Sequence, residues 1–162
     1  MDQEIKDKIL EIIHQANDMI PEEWHELYIN GDINGKEGGI SFYFRNKKEW
    51  IFSHDMYEIY EGYSIEDYTN EWRILFQLGV ELQQIFRENN QSIWSKVILH
   101  VDENMKLTTE FDYADWYNSE YVSYEYMDYF IHEYLNLPLE ETDEATFEKI
   151  KAFKETENSK ER

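Results

Sequence analysis

Apolar residues recur at three- and four-residue steps near the start of the chain, at Ile5, Ile9, Ile12, Ala16 and Met19. That spacing puts them on one face of a helix over 3–19, which Pro21 ends because proline cannot continue the backbone ladder. The period then shortens. Leu27 and Ile29 share one face of a strand over 24–29, and Ile40, Phe42 and Phe44 alternate with Ser41, Tyr43 and Arg45 in a second. Between them, residues 32–39 carry four Asp, Asn or Gly turn formers before Gly39 and read as a loop, since glycine supplies positive φ. Asn46-Lys47-Lys48 turns the chain into a third strand at Trp50-Ile51-Phe52, which completes an antiparallel meander.

Residues 54–63 lack either period and read as an irregular connector. Ser64 then offers an N-cap, and Glu66 and Asp67 lie in the first turn, where the helix dipole favours negative charge. The helix that follows covers 65–89, with its stripe at Ile65, Tyr68, Trp72, Leu75, Leu78 or Gly79, Leu82, and Ile85 or Phe86. A second hairpin has Val97, Leu99 and Val101 on one strand, a turn at Asp102-Glu103-Asn104, and Leu107, Thr109, Phe111 and Tyr113 on the return. Helices are expected over 116–135 and, after Pro138, over 142–155. The fold class is therefore α+β, an antiparallel sheet of about five strands covered by helices, in the order α-β-β-β-α-β-β-α-α. No repeat or linker divides the chain, so 1–155 reads as one domain and 156–162 as a frayed tail.

Charge changes this picture more than any motif does. Thirty-six Asp and Glu oppose 15 Lys and Arg, a formal net charge of −21. Such a chain repels nucleic acid and anionic membranes and attracts cationic proteins. Its 13 Tyr, 9 Phe and 5 Trp set it apart from an acidic disordered tail. The absence of cysteine excludes a disulfide framework, a thiolate zinc site and a cysteine nucleophile, and fits a reducing compartment. With an acidic N-terminus and no long apolar run, the expected location is cytoplasmic.

Catalytic chemistry finds little support. Gly35-Lys36-Glu37 lacks the glycine spacing and the Ser or Thr of a phosphate loop, and reads as a turn. His14, His25, His54, His100 and His132 show no metal-ligand spacing. Asp112 and Asp115, near Glu110 and Glu120, could offer oxygen ligands to a divalent cation, but no glycine-bearing calcium loop accompanies them. Neither a cofactor nor a metal is expected.

The acidic residues are instead concentrated. From Glu110 to Glu148 there are twelve carboxylates and no Lys or Arg, interleaved with Tyr113, Trp116, Tyr117, Tyr121, Tyr124, Tyr126 and Tyr129. A second run, Asp55, Glu58, Glu61, Glu66, Asp67 and Glu71, is mixed with Tyr57, Tyr60, Tyr63 and Tyr68. Like charges at helical spacing are destabilising, and Tyr and Trp are frequent binding anchors. Both runs therefore suggest surfaces complementary to a cationic partner.

Five ordered stretches carry a family resemblance. They are Met19-Ile20-Pro21-Glu22-Glu23-Trp24, Ile40-Ser41-Phe42-Tyr43-Phe44, Ser53-His54-Asp55, the long helix, and Phe111-Asp112-Tyr113-Ala114-Asp115-Trp116-Tyr117-Asn118-Ser119-Glu120, the most specific. In these the chain resembles the YezG/EsaG immunity proteins that accompany type VII-secreted nuclease toxins. It departs from the pattern at Met56-Tyr57-Glu58, where relatives often carry an Ile-Pro turn. The resemblance implies a non-enzymatic cytoplasmic antitoxin whose partner is a basic nuclease domain, with no direct binding of nucleic acid or membrane and no indication of a homo-oligomer. An acidic adaptor for another basic host protein is the alternative. The expected toxin contacts are Asp112, Asp115, Trp116, Glu120, Tyr121, Glu125 and Asp128, with Asp55, Glu58 and Tyr60 as a second patch.

Overall fold

The computed structural model describes residues 2–160. The chain divides into two compact units, residues 1–111 and 112–162.

In the first unit, α1 (Asp2–Met19) is followed by β1 (Glu26–Asn34), β2 (Glu37–Arg45) and β3 (Trp50–Phe52). A single 3₁₀ turn, Ser53–Asp55, leads into the short α2 (Met56–Ile59), and then come α3 (Ile65–Glu88), β4 (Lys96–Val101) and β5 (Leu107–Asp112). The five strands form one sheet in the order β3-β2-β1-β4-β5. The expected α+β class with a five-stranded antiparallel sheet is what the structure shows, with α2 as an additional element.

Register explains the sheet's two faces. Leu27 lies opposite Phe44 and Val101, and Ile29 opposite Phe42 and Leu99. These six side chains are buried with Ile33 and Ile51, on the face against which α3 packs. α3 runs roughly 36 Å at the usual rise per residue. Ser64 caps it, accepting from the Asp67 amide while the Asp67 carboxylate accepts from the Ser64 amide. At Gly79 the helix packs tightly on the sheet, since a Cβ there would stand 3.1 Å from Ile33 Cδ1. Gln83 supplies the polar link. Its amide donates to the carbonyls of Ile33 and Trp94, both at 2.8 Å, and its oxygen accepts from the Gly35 amide.

Three boundaries differ from expectation. Asp32-Ile33-Asn34 belongs to β1 rather than to a turn, because Asp32 and Asn34 take outward strand positions opposite Gly39 and Glu37. The turn narrows to Gly35 and Lys36, with Gly35 at φ +67°. The connector is partly helical, through the 3₁₀ turn and α2. Ile65, placed in the core stripe, is exposed at the first turn of α3.

The second unit holds α4 (Ser123–Leu135) and α5 (Glu144–Ser159), which pack against each other. The expected helix over 116–135 starts only at Ser123. Asp115, Asn118 and Ser119 divert the preceding backbone into side-chain-bonded turns, described below. α4 closes at Asn136 in the left-handed region, φ 58°. Lys154 of α5 is buried, its ammonium donating to the Tyr134 hydroxyl and lying 5.0 Å from that ring's centroid. α5 runs to Ser159, so residues 156–159, read as part of a frayed tail, are helical, while Glu161 and Arg162 lie outside the described residues.

Candidate functional site

The acidic-aromatic segment of the second unit is built on a buried carboxylate. Asp112 is fully buried, and its oxygens accept from the Ala114 amide at 2.9 Å, the Trp116 indole N–H at 2.8 Å and the Asn158 side-chain amide at 2.9 Å. Asn158 in turn accepts from the Tyr113 amide at 2.7 Å, so α5 clamps the segment at two points. The Trp116 ring, also buried, meets Tyr126 and Phe153 edge to face, with centroids 4.9 and 5.0 Å away.

On this base sits a tight turn. Asp115 accepts from both the backbone and side-chain amides of Asn118. The Ser119 hydroxyl donates to the Trp116 carbonyl at 2.7 Å and accepts from the Tyr121 amide. At the start of α4, Glu125 reaches back to accept from the Val122 amide at 3.0 Å. Farther along α4, buried Asp128 accepts from three consecutive amides, those of Glu140, Glu141 and Thr142, and so shapes the loop between the helices. Burial works to raise the Asp128 pKa, but these hydrogen bonds outweigh it and hold the carboxyl below its ordinary value.

The seven residues singled out in this region therefore separate. Asp112, Trp116 and Asp128 are interior, and their polar atoms bond within the unit. Asp115 and Glu120 are exposed, and Tyr121 and Glu125 are half-buried. Outside the expected contact set, Tyr117 is 86% exposed, and Val122 and Tyr124 are at least half exposed. Of Tyr117, Tyr121 and Tyr124, all inside the helix expected over 116–135, only Tyr124 is helical.

In the first unit, Asp55 ends the 3₁₀ turn, Glu58 lies on α2, and Tyr60 follows it. Both carboxylates are exposed. The Tyr60 hydroxyl donates to Glu22, which fixes the half-buried ring. Residues 57–64 line an open concavity of about 470 Å³; among them Gly62 is at φ +81° and Ile59 is half exposed.

Three of the five histidines make contacts within the fold. His100 stacks on Tyr28 with centroids 3.9 Å apart and bonds Glu26 at 2.6 Å. His54 bonds the Tyr68 hydroxyl, and His132 donates to the Leu137 carbonyl. Among the described residues, no three His, Asp or Glu side chains are placed to hold a metal, and no helix is long and apolar enough to cross a membrane.

The chain thus combines a helix-backed antiparallel sheet with a following helical pair. The profile of the YezG-like immunity proteins matches residues 5–151. Immunity protein YezG of Bacillus subtilis is 30% identical over 132 residues, covering 80% of this chain and 85% of that protein. YezG of Bacillus spizizenii is 30% identical over 113 residues, 67% and 68% of the two chains. The type VII secretion system protein EsaG of Staphylococcus aureus is 30% identical over 114 residues, 68% and 69%. The chain belongs to the YezG-like immunity protein family.

Proposed function

We propose that this protein is the cytoplasmic antidote to a nuclease toxin, which it binds and silences through acidic, aromatic-rich surfaces. Membership of the immunity family carries the reading, since an immunity protein acts by binding a cognate toxin. The charge of −21 supports the nature of the partner, because a nuclease must present a basic cleft to its polyanionic substrate. Asp115, Glu120, Tyr121 and Glu125 form the contact set in the second unit, and Asp55, Glu58 and Tyr60 with the concavity at 57–64 form that in the first. Asp112, Trp116 and Asp128 support contacts from beneath. The protein itself catalyses nothing in this scheme. Carboxylates steer the encounter, and desolvated rings slow release.

The test is to co-express the chain with a toxin encoded beside its gene and to assay DNA cleavage by the purified toxin domain with and without it. Rescue of growth together with stoichiometric loss of cleavage is the expected result. Unchanged cleavage, or no complex with any neighbouring toxin, would overturn the reading.

A further inference from the structure

We infer that Tyr117 is a preorganised anchor, which the 115–119 turn holds out for insertion into a basic cleft of the partner. The inference rests on the proposed function and assigns a role to a residue outside the contact set above.

Three observations converge on it. Tyr117 is 86% exposed, the highest exposure among the exposed large apolar side chains of the described residues. Solvent contact to that extent leaves the ring without structural work in the isolated protein. The backbone beneath it is nevertheless fixed at both ends, through Asp112 to Trp116 on one side and Asp115 to Asn118 and Ser119 to Trp116 on the other. A ring displayed on an already ordered turn loses little further conformational entropy on binding, and tyrosine has only two side-chain torsions to freeze. That is the physical profile of a binding anchor.

Charge identifies the surface it enters. From Glu110 to Glu148 the chain carries twelve carboxylates and no Lys or Arg, and Asp115 and Glu120 flank the ring on the exposed turn. A partner that closes over Tyr117 must neutralise them, so its cleft is lined by Arg or Lys. A tyrosine face also accepts a guanidinium or ammonium group. Val122 and Tyr124, five and seven residues further along the chain, are also at least half exposed.

The experiment measures, by titration calorimetry, the affinity of the purified chain for the nuclease domain of the toxin encoded beside it. Tyr117→Ala should raise Kd about 30-fold or more, as for an interface hot spot, and Tyr117→Phe should stay within about threefold of wild type. Ile74→Ala, at an exposed apolar position on α3, should leave Kd unchanged. Thermal unfolding of Tyr117→Ala should stay within about 2 °C of wild type, as expected for a surface substitution. If wild type binds and Tyr117→Ala binds equally well, this inference fails and the proposed function stands. If wild type does not bind, the proposed function fails and takes the inference with it. A concentration-dependent dimer of the wild-type chain that Tyr117→Ala abolishes would also overturn it, by assigning the ring to self-association.

Discussion

The buried carboxylate of Asp112 accepts the indole N–H of Trp116 at 2.8 Å, four residues along a segment that is not helical. Its other oxygen is taken by the Ala114 amide and the Asn158 side chain. The most specific family stretch, Phe111 to Glu120, is thus explained by folding. It encodes a buried acceptor, the ring that donates to it, and the Asp115, Asn118 and Ser119 bonds that close the turn. Any loss of toxin binding on changing Asp112 would therefore act through the turn's shape.

Asp112→Ala removes the acceptor of two buried donors, the Ala114 amide and the Trp116 indole, and one acceptor of the Asn158 amide, and should destabilise the protein by about 3 kcal/mol. Asn158→Ala should cost about 1–2 kcal/mol. Because the two side chains bond each other, their effects should fall short of additivity by at least about 0.5 kcal/mol in a double-mutant cycle of urea unfolding. Strict additivity would show that α5 does not clamp the turn through this pair.

Gly38 sits at φ +121°, and a Cβ there would stand 1.9 Å from the Asp32 carbonyl oxygen. Gly38→Ala should therefore cost more than the roughly 1–3 kcal/mol of backbone strain alone. Gly35→Ala is the comparison, because that residue also has positive φ but meets nothing within 4 Å. The Tm of Gly38→Ala should lie well below that of Gly35→Ala, and equal values would refute the close approach of β1 and β2 at this hairpin.

Gln83 should tolerate no apolar replacement. Gln83→Leu strips the partners from two buried carbonyls and one amide, and should lower stability by about 3 kcal/mol despite similar side-chain volume. Denaturant unfolding with an unchanged m value would measure this directly.

Asp128 gives a pH signature. Its folded-state pKa lies below the unfolded value, so its contribution is fully present above the unfolded carboxylate pKa of about 3.9 and is lost as pH falls through the folded value. Asp128→Asn should destabilise the protein at pH 7 by about 2 kcal/mol and narrow the stability gap between neutral and acid pH. An unfolding profile of the variant that stays parallel to wild type across pH 2–7 would show that the three amides of the 140–142 loop do not hold the charged carboxylate.

The helices α1 and α3 could be read from the chain because single apolar stripes and a Ser64 cap sufficed. The strands were legible from alternation, although β1 ran on through Asp32 and Asn34, where outward positions and turn formers use the same residues. Residues 116–122 misled because Tyr117, Tyr121 and Tyr124 are spaced like a helical stripe, while the side chains of Asp115 and Ser119 compete for the backbone. Gln83 carries no pattern at all, since nothing in a stripe marks one polar residue as buried. The acidic segment itself was plain in the sequence, but not its sorting. Asp112 and Asp128 look no different from Asp115 until the donors around them are known.

In the proposed function, opposite charge brings the toxin to this protein. The most direct measurement is the stopped-flow association rate of the purified chain with the toxin's nuclease domain as salt is raised from low to high ionic strength. Screening of exposed carboxylates should slow association by about tenfold or more while dissociation changes little. An association rate that stays constant across the series would contradict the account.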